Sequence, residues 1–195
     1  MSFRFEKKFL LQKTDYFFIK NNFLNKTCDF LFPPRNINSL YFDTKELNNY
    51  YDSEEGILPR IKLRIRNYDN ISKYYKEIKV SSFEGRYKTS NDYPFINFKS
   101  KYLYLFYKGK NYFPYVYTNY TREYLTYLNY RITIDKDIMY INYKNNKVFY
   151  DNNIIVEIKS KDHIDFSHHF FNLFKFSDTR YSKYCNAIKN VSSLV

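Results

Sequence analysis

The sequence predicts a mostly β fold of the α+β class: an eight-stranded antiparallel barrel with flanking helices, built by residues 1–195 as a single domain. Three observations lead there. Alternation of polar and apolar residues dominates the chain, and eight or more short strands in one small domain favour a closed or sandwiched sheet. No Pro/Gly/Ser-rich linker or sharp change of composition divides the 195 residues, a length that suits one sizeable core. Several strands place Arg or Lys at every second position with apolar residues between, so each has one apolar and one cationic face.

Taken in order, "SFRFEKKFLL" sets Phe3, Phe5, Phe9 and Leu11 against Arg4, Glu6 and Lys8. "DYFFIKNNFLNKTC" follows with helical spacing and Thr14 as its expected cap. "INSLYFDT" at 37–44 is a strand, and "KELNNYYDSEEG" a short helix or turn ending at Gly56. After Pro59 comes the strand "RIKLRIRN", then "KYYKEIKVSS" and "EGRYKTS", two strands joined near Ser81–Glu84. Residues 95–112 carry closely spaced aromatics and leucines and are expected to form a helix packed on the sheet. "PYVYTNYTREYLTY" and "LNYRITID" are strands, "DKDIMYINY" and "KVFYDN" a hairpin-like region, and "NIIVEIKSK" the last strand. The final 30 or so residues suggest one or two helices.

The charge narrows the partners. Lys and Arg number 32 against 20 Asp and Glu, a formal net charge of +12. The excess favours an anion: a nucleic acid, a membrane surface or a phosphorylated small molecule. It is spread through structured segments, so a disordered basic arm is not expected. Three glycines leave no room for a glycine-rich phosphate loop. Cys28 and Cys185, outside any CxxC pair, read as free thiols. The N-terminus has no signal-peptide core and no window approaches 18 uninterrupted apolar residues, which points to a cytoplasmic protein without a membrane segment. His163, His168 and His169, beside Asp162 and Asp165, read as surface residues, and "YKGKNYF" as a solvated loop.

The row Lys62, Arg64 and Arg66 poses a physical problem. Neighbours two apart on a strand lie roughly 6.5–7 Å from each other. Two like charges there repel by about 0.6 kcal/mol in bulk water but about 2.4 kcal/mol at an effective dielectric near 20. In an enclosed space the row needs an anion. Glu-x-Lys pairs recur at Glu6 and Lys8, Glu77 and Lys79, and Glu157 and Lys159, the latter two with Ile78 and Val80, then Val156 and Ile158, on the opposite parity; Arg131 with Thr133 opposes Ile132 and Ile134, and Arg86 and Lys88 share a parity. Apolar faces turned outward under helices would leave the charged faces lining the inside of a barrel. Such an interior holds water and anions rather than packing dry. Phosphate suits it, because Arg offers a planar fork and Lys a point charge. The carboxylates then serve as ligands for a hard divalent ion bridging to phosphate.

The fragments "FRFEKKF", "INSLYFDT", "IKLRIRNY", "KEIKVS", "YTREY", "YRITID", "VEIKSK" and "YSKYCNAI" occur in the order seen in the vacuolar transporter chaperone (VTC) domain. From about residue 3 to 189 the chain resembles that family, the polyphosphate polymerase branch of the CYTH-like triphosphate tunnel metalloenzymes, in its stand-alone bacterial form. The resemblance implies an eight-stranded tunnel that binds ATP with Mn²⁺ or Mg²⁺ and transfers its γ-phosphate to a growing inorganic polyphosphate chain. It also implies the site. Lys8, Arg64, Arg66, Lys79, Arg131 and Lys183 would act on the transferring phosphates, with Arg86, Lys88, Arg122, Lys159 and Ser182 as further phosphate contacts. Glu157 and Glu6 would hold the metal. The hydrolase branches usually begin with E-x-E-x-K; here Arg4 stands where the first glutamate would be, which leans the reading towards the polymerase. A tunnel triphosphatase acting on inorganic triphosphate, a nucleotide or an RNA 5′ end is the alternative, and a non-catalytic polyphosphate or nucleotide sensor the second. Duplex nucleic acid is not an expected partner.

Overall fold

Period-two alternation becomes ten strands among the described residues. These are β1 (Phe5–Leu11), β2 (Asp29–Asp43), β3 (Arg60–Tyr68), β4 (Tyr74–Ser82), β5 (Gly85–Tyr93), β6 (Leu105–Tyr107), β7 (Lys110–Tyr127), β8 (Tyr130–Asn142), β9 (Val148–Asp151) and β10 (Ile154–Ser160). The computed structural model describes residues 5–69, 71–94, 103–161 and 179–192. Its helices are α1 (Lys13–Ile19), running on through a π-helical turn (Lys20–Leu24) into the short α2 (Asn25–Thr27), then α3 (Asn48–Glu55) and α4 (Lys183–Val191). Eight strands follow the hydrogen-bonded order β1-β10-β8-β7-β2-β3-β4-β5, with β6 on β7 and β9 on β8. The fold is mostly β and antiparallel with a few helices, the class the sequence predicts.

The chain divides into two compact units: Met1–Arg35, Tyr120–Ile138 and Asp151–Tyr181 form the first, and Asn36–Asn119, Met139–Tyr150 and Ser182–Val195 the second. In the first, the apolar parity of β1, β8 and β10 packs under the helical segment. Phe9, Leu11, Ile132, Ile134, Val156 and Ile158 join Tyr16, Ile19 and Leu24 in one buried cluster. Each fully buried aliphatic contributes about 1.5–3 kcal/mol, and this face fixes which parity points away from the core. In the second unit, Leu40, Phe42, Leu63 and Ile65 of β2 and β3 are covered by Leu105 of β6 and Tyr112 of β7.

That cover corrects one expectation. Residues 103–112 are not helical; Leu105 pairs with Tyr112 across a hairpin. Lys108 and Gly109 both take positive φ, 47° and 75°, the two-residue turn that matches strand twist and that glycine makes cheap. Residues 95–102 of the expected helix lie outside the described residues, as do the three histidines and most of the expected C-terminal helical region before α4. A second correction concerns α1. Thr14 lies inside the helix; Gln12 holds the N-cap position with no side-chain cap. Packing starts this helix instead, through buried Tyr16 and Ile19. Tyr16 and Lys20 also bond the Glu123 carboxylate, at 3.1–3.4 Å.

Gly56, in the left-handed region at φ 78°, ends α3 where the sequence placed its stop. Both cysteines are free and buried. Among the described residues no helix is long and apolar enough to cross a membrane.

Candidate functional site

In the first unit, β1 and β10 pair so that Lys8 faces Glu157 and Glu6 faces Lys159. The four side chains share one face, and their signs alternate along each strand and across the pair. Lys8 Nζ lies 3.3 Å from Glu6 and 3.8 Å from Glu157; Lys159 Nζ lies 2.5 Å from Glu157 and 3.9 Å from Glu6. Lys8 also donates to the Tyr181 carbonyl at 3.1 Å. Next on this face, β8 sets Thr133 opposite Glu157 and Arg131 opposite Lys159. Arg122 of β7 grips Asp135 with two parallel bonds, Nε–Oδ1 at 2.5 Å and Nη2–Oδ2 at 2.7 Å. Burial pushes the Glu157 carboxyl upward, but Lys159, Lys8 and Arg122 outweigh it and hold the group well below the usual carboxylate range. Burial also works against the charge on Arg122, and Asp135 more than restores it.

The second unit carries a denser cation set around one buried carboxylate. Across β3 and β4, Lys62 faces Lys79 and Arg64 faces Glu77; across β4 and β5, Lys79 faces Lys88. Three lysines therefore stand directly opposite one another on three adjacent strands, an arrangement that is destabilising in itself. Glu77 receives Arg64 Nε at 2.7 Å and Lys88 Nζ at 2.7 Å, and Arg66 lies 3.7 Å away. Burial raises its carboxyl, yet Arg64, Arg66 and Lys88 bring it down to about 2. Arg64 also donates to the Tyr41 hydroxyl at 2.8 Å, and Arg66 to Ser39 at 2.9 Å. Lys62 donates to Ser182 Oγ at 2.8 Å, and the same hydroxyl caps α4 by accepting from the Cys185 amide at 3.3 Å.

Every residue expected in the site is described. Glu6, Lys8, Arg122, Arg131, Glu157 and Lys159 fall in the first unit; Arg64, Arg66, Lys79, Arg86, Lys88, Ser182 and Lys183 fall in the second. Sequence reasoning left out Tyr41, Ser39 and Asp135, although the signal was present. Ser39 and Tyr41 share a parity within "SLYFD" and face Arg66 and Arg64. Asp135 shares the parity of Arg131 within "RITID". Asp43 and Tyr184, joined by a hydrogen bond from the Tyr184 hydroxyl, carried no local signal. Asp43 also accepts from the Asn49 and Tyr50 amides at 3.0 and 2.9 Å, and so caps α3 from outside the helix.

The oxygen donors suit a hard cation only in part. Glu6 and Glu157 are diagonal neighbours on paired strands, with 11% and 12% of their side-chain surface exposed. Among the described residues no group of three or more His, Cys, Asp or Glu gathers into a metal site. Two carboxylates fit a Mg²⁺-like ion that takes its remaining oxygens from phosphate and water.

Comparison with solved structures agrees with this fold. A candidate adenylate cyclase from Bacillus halodurans superposes with a TM-score of 0.60 at 13% identity, covering 99% of this chain and 100% of its own. A protein from Pyrococcus horikoshii gives 0.57 at 12%, with 95% and 99% covered. A candidate adenylate cyclase from Vibrio parahaemolyticus gives 0.56 at 13%, with 96% and 98% covered. At such identities the likeness speaks for the fold, that of the triphosphate tunnel proteins. No curated protein matches the sequence. The VTC domain model matches residues 3–95 and 88–192, nearly the whole chain, and the chain belongs to the VTC domain family.

Proposed function

We propose that residues 1–195 work as one enzyme domain, a metal-dependent polyphosphate polymerase that transfers the γ-phosphoryl group of ATP to a polyphosphate chain and releases ADP. The observation that carries this reading is the lysine rung Lys62, Lys79 and Lys88 beside Arg64 and Arg66, with Glu77 the one carboxylate among them. A multiply charged anion would stabilise such a set. The bond between the γ-phosphorus and the β-phosphate oxygen breaks, ADP leaves with the electron pair, and a new bond forms to the terminal oxygen of the acceptor. That oxygen is already ionised, so no strong general base is needed. Arg64, Arg66, Lys79 and Lys183 would neutralise charge on the phosphates, and Lys8, Lys159 and Arg131 would do so from their own face. Enzymes of this fold typically depend on a divalent metal. Glu6 and Glu157 would hold it, and when bound it would supply charge shared between phosphate oxygens. Arg122 is committed to Asp135 and would contribute field rather than a direct contact.

The test is incubation of the pure protein with ATP and Mn²⁺, with phosphate products resolved by size. A ladder of chains with matching ADP is the expected outcome. Orthophosphate alone, from ATP or tripolyphosphate, would replace the reading with a triphosphatase. Absence of turnover with retained polyphosphate binding would leave a sensor. Arg64→Lys combined with Arg66→Lys, which keeps positive charge beside the buried Glu77 but removes both planar forks, should sharply weaken nucleotide binding.

A further inference from the structure

The Thr133 hydroxyl has no hydrogen-bond partner among the described residues, and its residue is only 4% exposed. A buried hydroxyl left unbonded costs free energy of order 1–3 kcal/mol. Its place is specific. Thr133 lies on the charged parity of β8, between Arg131 and Asp135, directly opposite Glu157. Opposed residues of an antiparallel pair bring their β-carbons to about 4.5–5.5 Å, within reach of a hydroxyl and a carboxylate. In the free protein Glu157 is already occupied by Lys159 at 2.5 Å and Lys8 at 3.8 Å.

We infer that Thr133 is a positioning residue, the second partner of Glu157, which takes up the carboxylate when phosphate draws Lys8 and Lys159 away. This rests on the proposal that this face binds phosphate. A buried carboxylate that loses its two nearest ammonium groups is destabilised, and a donor held across the strand limits that loss. The donated hydrogen bond also fixes which way the carboxylate oxygens turn, and so their aim towards a bound cation. Thr133 thus stands idle in the free protein and works in the loaded one. Among the described residues no other hydroxyl stands opposite Glu157 in the register of β1, β10 and β8.

The inference predicts opposite signs for stability and function. Thr133→Val removes an unbonded hydroxyl at nearly constant shape, so the free protein should melt at the same temperature or higher. The same variant should bind tripolyphosphate with Mn²⁺ roughly ten-fold or more weakly, as for loss of a hydrogen bond to a charged group. Its turnover number should fall with it. Thr133→Ser, which keeps the hydroxyl, should restore both. Calorimetry with tripolyphosphate and Mn²⁺, beside thermal melts of the free proteins, reads all of this. Undiminished binding and turnover in the valine variant would overturn the inference and leave the proposed function standing. A lower melting temperature of the free valine variant, recovered in the serine variant, would also overturn it, because the hydroxyl would then be bonded at rest. Failure of the unaltered protein to bind tripolyphosphate would instead remove the proposed function on which it rests.

Discussion

Tyr41 shows how far one side chain reports its surroundings. It is 4% exposed, and burial alone would raise its phenol. Arg64, Arg66 and Lys183 reverse that and bring it down to about 8. Other tyrosines with a shift, among them Tyr117, Tyr143 and Tyr184, move upward on burial, so Tyr41 should titrate apart from them. Absorbance at 295 nm should show one phenol ionising near pH 8, a step absent in Tyr41→Phe and moved upward in Arg64→Ala. The linkage has a definite sign. The unfolded phenol ionises near 10. The stabilisation from Tyr41 is therefore complete above about pH 10 and fades as pH falls through 8. A bound polyanion should push the step upward, since it competes for the same guanidinium. A flat absorbance between pH 7 and 9 would show that Arg64 does not act on this hydroxyl.

Among the elements, α4 depends most visibly on one residue outside its own turns. Ser182 caps it and at the same time holds Lys62 of β3. Ser182→Ala should lose about 1 kcal/mol of cap energy, roughly 2–4 °C in a melt for a chain of this size. Ser182→Thr should retain most of it. The faces of β1, β3, β4, β8 and β10 were legible because strand period is local: once Leu63 and Ile65 are buried, Arg64 and Arg66 have no other side to occupy. The β6–β7 hairpin was not, because a short apolar run such as "YLYLFY" fits a helix or a strand equally well. Its turn residues, Lys108 and Gly109, lie in "YKGKNYF", which reads as a loop but not by itself as the turn of a hairpin. Thr14 misled for the opposite reason. It is a sound capping residue whose hydroxyl the helix does not use, since Tyr16, Ile19 and the Glu123 bonds already place the segment. The Asp43–Tyr184 bond lies beyond any local reading, with its partners 141 positions apart.

At the scale of the whole chain, a net charge of +12 sets how the protein answers to ions. At low ionic strength, tripolyphosphate should raise the melting temperature, because it relieves repulsion within both cationic sets as it binds. Raising NaCl from about 50 to 300 mM should shrink that gain, as the screening length falls below roughly 10 Å. A gain that does not change with salt would mean the anion binds through something other than these cations. Lys62, Lys79 and Lys88 make the second unit the more sensitive of the two. Replacing Lys79 with Met should therefore narrow the salt dependence of the melting-temperature gain from tripolyphosphate.

The strand order has one more consequence, and it concerns time. β1 is made well before its partner β10, with which it pairs from Phe5 with Ser160 to Leu11 with Ile154. At about 5–20 residues per second, Phe9 and Leu11 wait roughly seven to thirty seconds for the strand that will pair with theirs. Any chain released before Ile154 is made carries an apolar strand that can never be paired. The pairing of β1 therefore separates a copy that has reached β10 from one that has not.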